Sequence, residues 1–143
     1  MFKNKVGVPF MACASEIPLI TFRLDNGTEG VAVVDTGSEQ TVFDSAFIKE
    51  NDDCFKFKEG RTYSLIGIAT ESEAMAVSIA TSFHFGGETI EIAGVSADMS
   101  SLRSHFKKSY GDQFDIVAIF GSDMMLKLGT KIDFIKKEIK FNK

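Results

Sequence analysis

Apolar and polar positions alternate with a period of two through most of this chain, in short runs separated by Gly, Asn and Asp. That pattern predicts half-buried β-strands joined by tight turns. Ile17 to Leu24 forms one such run, Asp25-Asn26-Gly27 is a hairpin turn signal, and Gly30 to Asp35 reads as the return strand. Thr41 to Ile48 predicts a short strand and a helical turn, followed by a loop at Asn51-Asp52-Asp53. Tyr63 to Ile68 and Ala74 to Phe85 predict two strands around a tip near Gly67 to Glu73. Gly86-Gly87 then turns the chain into another strand over Thr89 to Val95. The period changes at Ser100 to Gly111, where Leu102, Phe106 and Tyr110 fall at helical spacing, giving a short amphipathic helix or an ordered loop. Asp115 to Phe120 is a compact apolar strand stopping at Gly121. Ser122 is placed to N-cap a helix over Asp123 to Leu128, with Gly129 just past its end. Ile132 to Ile135 and Glu138 to Phe141 form a last hairpin across Lys136-Lys137. Residues 1–15 read as an N-terminal arm or edge strand, and 16–143 as one domain without repeats or linkers. The expected fold is a closed, mostly β single domain with one or two short helices.

Composition narrows the function without naming it. At 143 residues the chain is one domain by size and long enough to bury a real core. A net charge of −4 leaves no basic footprint for nucleic acid. The Lys-rich tail from Lys131 alternates with Ile132, Phe134, Ile139 and Phe141, so it reads as an amphipathic hairpin. Fourteen Phe and no Trp fit packed sheets, with Phe83 and Phe85 as core residues. Cys13 and Cys54 give neither a disulfide framework nor a metal spacing, and read as reduced, partly buried thiols. No apolar run is long enough to span a bilayer, and no segment has the make-up of a secretory signal. A soluble, cytoplasmic protein is the expectation.

The chemistry concentrates at Val31-Ala32-Val33-Val34-Asp35-Thr36-Gly37, where a buried strand ends in a carboxylate, a hydroxyl and a glycine. Taken alone, such a triplet is a loop with a capping acid. A second apolar strand ends in Ile119-Phe120-Gly121-Ser122-Asp123-Met124-Met125-Leu126-Lys127-Leu128-Gly129, followed by Ile132-Asp133-Phe134. Competing readings are weaker. Ser38 with His84 or His105 lacks the nucleophile-elbow pattern of a serine hydrolase. Asp52, Asp53, Glu71 and Glu73 lack calcium-ligand spacing and read as solvated loop charge. Asp123, in the first turn of its helix, is placed to stabilise the helix dipole.

The pair of segments closely resembles the retropepsin-like aspartic proteases, a family that includes retroviral proteases, the retroviral-like domain of eukaryotic ubiquitin-shuttle proteins and bacterial single-domain aspartyl proteases. The resemblance spans about residues 16–142. It implies a mostly β, closed acid-protease β-barrel with one or two short helices, in which Asp35 is the catalytic aspartate and the Thr36 hydroxyl bonds across a dimer to lock both loops. Gly37 would offer its backbone to substrate, and Ser38, Glu39 and Gln40 would line the cleft floor. Ile119-Phe120-Gly121 matches the element through which the catalytic loop threads, and Ile66-Gly67-Ile68-Ala69 falls where the family places its flap. Apolar pockets would come from Val42, Ile66, Ile68 and Ile119. Ala69 stands where a second flap glycine is common, and Ile17 and Ser122 stand where many viral members have arginine. The ion-pair network that braces those dimers is therefore not expected here.

With one Asp-Thr-Gly per chain, the implied active site needs a homodimer. Two Asp35 carboxylates would activate a water for peptide hydrolysis, with no metal or organic cofactor. The splitting of their pKa values is the known property of aspartic-protease dyads and comes with the resemblance. Ser38 is expected to donate to Asp35, favouring its ionised form and an acidic optimum. Partners would be a second copy of the chain and an extended peptide, with no nucleic acid and no membrane. The alternative is a catalytically silent module that uses the fold to dimerise or to bind extended peptides.

Overall fold

The structure is a computed structural model that describes residues 5–9, 11–12, 17–67, 70–85 and 87–142, with side chains described for 17–57, 79–85 and 87–141. Eleven strands and three helices follow in chain order: β1 (Lys5–Pro9), β2 (Met11–Ala12), β3 (Pro18–Leu24), β4 (Glu29–Val34), β5 (Val42–Asp44), α1 (Ser45–Glu50), β6 (Phe55–Gly67), β7 (Thr70–Phe85), β8 (Glu88–Ala97), α2 (Ser100–Tyr110), β9 (Ile116–Phe120), α3 (Ser122–Leu128), β10 (Lys131–Asp133) and β11 (Glu138–Asn142).

The main sheet runs β2-β3-β4-β9-β5-β8-β7-β6, and a further β3–β7 pairing closes six of its strands into a mixed barrel. The β3–β4 hairpin turns at Asp25 to Thr28, where Gly27 takes φ 88° and Leu24 N–H reaches Thr28 C=O at 2.8 Å. β4 and β9 lie parallel, with Val33 beside Ile119 and Val34 beside Phe120. β5 crosses to β9 antiparallel and to β8 parallel. A smaller sheet, β1-β11-β10, joins both ends of the described chain.

Alternation along the strands fills two cores. One is aromatic: Phe22, Phe43, Phe83 and Phe120 pack with centroids 5.1–6.4 Å apart, and Phe85 and Phe141 extend the cluster at 5.0 Å. Phe83 and Phe85 are therefore core residues. The second core gathers Leu19, Val33, Val42, Val95, Ile116 and Ile119 under Leu102 and Phe106 of α2. Leu102 and Phe106 lie four residues apart and so share one helix face, which makes 100–110 a helix and not a loop.

Several sequence expectations are corrected. The strands around the flap are longer, so Glu71 and Glu73 lie in β7, not in a loop, and only Ile68 and Ala69 separate it from β6. Asn51-Asp52-Asp53 leads into a single 3-10 turn over Asp52–Cys54. Ser122 is the first residue of α3 and not its cap; Gly121 holds the cap position without a side chain to offer. Phe134 falls in the β10–β11 turn and is exposed, because the strand ends one residue earlier at Asp133.

Candidate active site

The loop after β4 is held from both sides by backbone. Asp35 N–H donates to Phe120 C=O at 3.0 Å, continuing the β4–β9 ladder one residue beyond the strand. Ser38 N–H then donates to Asp35 C=O at 3.1 Å, and Ser122 N–H donates to Ser38 C=O at 2.7 Å. A Cβ on Gly121 would stand 2.6 Å from the Gln40 carbonyl oxygen and 2.7 Å from that of Ser38. Both neighbours are backbone, so only glycine lets the loop cross here. Gly94 has the same role on the neighbouring strand β8, where a Cβ would stand 2.7 Å from the Thr41 carbonyl oxygen.

The end of the loop is fixed by a polar clamp spanning 82 residues of sequence. Asp123 accepts from Thr41 N–H at 3.0 Å through one oxygen and from Thr41 Oγ1 at 2.8 Å through the other. Thr41 Oγ1 in turn accepts from Gly121 N–H at 3.2 Å. Asp123 also accepts from Met124 N–H at 2.7 Å. Its position in the first turn of α3 therefore does more than face the helix dipole: it ties α3 to the far end of the loop.

Inside this frame Asp35 is half-buried, while Thr36, Gly37 and Glu39 are exposed. Gly37 N–H donates to Asp35 Oδ1 at 2.9 Å, which fixes the carboxyl rotamer. The expected bond from Ser38 to Asp35 is absent: Ser38 Oγ donates to Gln40 C=O at 2.7 Å. A hydroxyl has one proton, so Ser38 braces its own loop and leaves the carboxylate alone. Gln40 is half-buried, and its Oε1 has no hydrogen-bond donor among the described residues. Val42 and Ile119, expected as pocket walls, pair with each other across β5 and β9 and are only 2% and 1% exposed. In the single chain they belong to the second core and offer no surface to a ligand. Ile66 and Gly67 end β6, with Gly67 opposite Thr70. The side chains of Ile66 and Gly67, and residues Ile68 and Ala69 altogether, lie outside the described residues.

The other candidate nucleophiles among the described residues have partners of their own or stand apart from Asp35. His84 Nε2 sits 2.5 Å from Asp25 Oδ1 and its Nδ1 3.0 Å from Thr89 Oγ1. Asp25 opens the β3–β4 turn, a whole strand from Asp35, or about 20 Å at 3.3 Å per residue. Ser38 therefore has no histidine partner there. Burial pushes the Cys54 thiol above its ordinary value, which disfavours the thiolate. Cys54 is free, and Cys13 lies outside the described residues. Among the described residues no group of His, Cys, Asp and Glu could hold a metal ion. No helix there is long and apolar enough to cross a membrane.

Sequence reasoning missed one ionic cluster. Arg103 of α2 donates from its Nη1 to the buried Asp44 at 2.6 Å, and forks onto Asp115 with two bonds of 2.8 Å. Asp44 also caps α1 through Phe47 N–H at 3.3 Å and accepts from Met99 N–H at 2.8 Å. Hydrogen bonding and charge from Arg103 hold the Asp115 carboxyl below its ordinary value. The cluster pins α2 over the second core, behind the strands that carry the loop.

No protein-family model matches the chain, and no curated protein matches it. Solved structures do. A retropepsin-like aspartic protease from Rickettsia conorii superposes with TM-score 0.58 at 17% identity, covering 97% of this chain and 90% of its own. EIAV protease in complex with the inhibitor HBY-793 gives TM-score 0.54 at 21% identity, covering 84% of this chain and 95% of its own. The retroviral protease-like domain of Ddi1 from Leishmania major gives 0.52 at 14%, covering 89% and 91%. At these identities the likeness is one of fold: the chain has the retropepsin-like fold.

Proposed function

We propose that the chain is one half of an aspartic endopeptidase, completed by a second copy of itself. The observation that carries this reading is the Asp35 loop. It presents one half-buried carboxyl at the end of a strand, fixed by Gly37 N–H and threaded across Gly121. A rigid loop of that kind suits an acid that must meet another at a two-fold axis.

In the dimer, the two Asp35 carboxylates would lie within hydrogen-bonding reach and share one proton, since like charges at that distance do not both ionise. The ionised partner takes a proton from a water held between them as that water attacks the scissile carbonyl. The protonated partner donates to the carbonyl oxygen, and a proton then passes to the leaving amine. Thr36, exposed beside the acid, would bond across the axis to its counterpart loop. Substrate would lie extended under the β6–β7 hairpin and pair by backbone bonds. Ser38, Glu39 and Gln40 form the floor in this reading, with Ile66, Gly67, Ile68 and Ala69 above. Val42 and Ile119 act from behind, as packing under the loop.

The test is digestion of a peptide library between about pH 3 and 7, a range that brackets carboxylate titration, with the wild-type chain and Asp35→Asn. Cleavage by the first and not the second supports the assignment. Cleavage surviving the substitution refutes it.

A further inference from the structure

Asp35 leaves the sheet on a definite face. Its N–H still pairs with Phe120 C=O, so the geometry of β4 continues up to it, and successive side chains there point to opposite faces. Asp35 therefore shares a face with Val33, two residues earlier. Gly121 shares the same face with Ile119, the register partner of Val33. Val42 joins them from β5, opposite Ile119. These three apolar side chains flank the acid on its own side of the sheet.

Left open, they would form an apolar recess for a substrate side chain turned toward the sheet. The recess is already filled from within the chain. Val33, Val42 and Ile119 are 1%, 2% and 1% exposed, and they share one core with Met99, Leu102 and Phe106. All three of the filling residues belong to α2 or directly precede it. Phe106 extends the packing to Tyr110, with ring centroids 5.4 Å apart, and Tyr110 reaches Phe114 at 6.3 Å.

The filling is fixed in place. Arg103 ties the helix to Asp44 and Asp115, and the buried Asp44 also holds Met99 N–H. What remains beside the acid is the loop itself. Thr36, Gly37, Ser38, Glu39 and Gln40 are small or polar, and none offers an apolar surface. The backbone of this loop is packed against Gly121 without room for a Cβ, so it hides no recess of its own at the crossing.

We propose that α2, through Leu102 and Phe106, restricts this chain to substrates with small side chains at the two residues flanking the cleaved bond. Gly, Ala and Ser fit there, and Phe, Leu and Met do not. The two-fold symmetry of the dimer gives both flanking residues the same floor. Leu102 and Phe106 touch no substrate; they act through Val42 and Ile119 by occupying the space behind them. Room for one more methylene in an apolar recess is worth about tenfold or more in kcat/KM. This inference rests on the reading that two copies of Asp35 form a peptidase site, and it names the substrate class of that site.

The test is a peptide-library digest in which mass spectrometry reads the residues flanking each cleaved bond, followed by kcat/KM on matched peptides that differ only at those residues. The wild type should cut between small residues, and Phe or Leu there should lower kcat/KM at least about tenfold. Phe106→Ala and Leu102→Ala empty part of the filling. Each should raise the ratio of bulky to small cleavage at least about tenfold, chiefly through KM. Phe106→Leu, a milder truncation that keeps the core apolar, should shift the ratio the same way by less, with the circular dichroism unchanged. A wild type that prefers Phe or Leu at these positions overturns the proposal. So does a folded variant whose ratio stays put, or a loss shared equally by both peptide classes, which marks a structural role alone. In these cases, with cleavage still dependent on Asp35, only the substrate class is wrong. If the wild type cleaves nothing in the library, the half-site reading falls and this inference with it.

Discussion

Strands β4 and β9 lie side by side and parallel, both apolar throughout their inner halves, and they stop at the same level with opposite endings. β4 ends in Asp35, whose half-buried carboxyl is held out toward solvent by Gly37 N–H. β9 ends in Gly121, whose missing side chain is filled by the backbone of the loop that follows Asp35. One strand presents a functional group and its neighbour gives up space for it. A substitution at Asp35 should therefore change chemistry with little effect on folding, and one at Gly121 should change folding first.

The largest expected effect separates the two at once. Asp35→Asn should lower cleavage by about a thousandfold or more, within the range for removing a general acid–base group. Its thermal midpoint should stay near that of the wild type, because the amide oxygen can still accept from Gly37. A large loss of stability in this variant would erase the contrast. Next, Gly121→Ala should destabilise the chain by about 1–3 kcal/mol in denaturant titration, as overpacking against rigid backbone does. It should reduce cleavage as well, since the atoms it strikes belong to Ser38 and Gln40.

Smaller changes sharpen the boundary between the two roles. Ser38→Ala removes a donor to Gln40 C=O and should cost about 1 kcal/mol. Its pH–rate profile should stay in place, because the hydroxyl does not touch Asp35; a profile moved to higher pH would restore a direct bond. The smallest effect lies outside the loop. Asp115 has its carboxyl pKa lowered by Arg103, so its contribution is present above the unfolded value near 3.9 and lost as pH falls through the lower folded value. Asp115→Asn should therefore remove a share of the acid limb of the stability profile below about pH 4. Its half-exposed position limits that share to about 1 kcal/mol or less.

The outline of the fold was legible because it depends on local pattern. Alternation located the strands, Asp25-Asn26-Gly27 and Gly129 marked turns that need left-handed backbone, and helical spacing of Leu102 and Phe106 placed α2. What stayed hidden depends on partners distant in sequence. Nothing near Thr41 indicates that Asp123 will hold both its amide and its hydroxyl, and nothing near Asp44 indicates Arg103. Ser38 sits close to both an acid and a carbonyl, and sequence does not say which it chooses. Val42 and Ile119 have the alternation of pocket-lining residues, but a second core, closed by α2, lies on their side of the sheet. Phe134 continues the apolar rhythm of the tail, yet the strand stops before it and leaves it exposed. The acid and the glycine were legible as the endings of two apolar strands; the clamp that ties the loop between them to α3 was not.

The central claim is that two copies of Asp35, one from each chain, make a single active site. It is tested most directly by mixing wild-type chains with Asp35→Asn chains at fixed total concentration, allowing exchange, and measuring cleavage against the wild-type fraction. A shared site requires wild-type acids from both chains, so activity should fall with the square of that fraction. Activity that falls in simple proportion to the wild-type fraction would mean that each chain works alone, and would contradict the account.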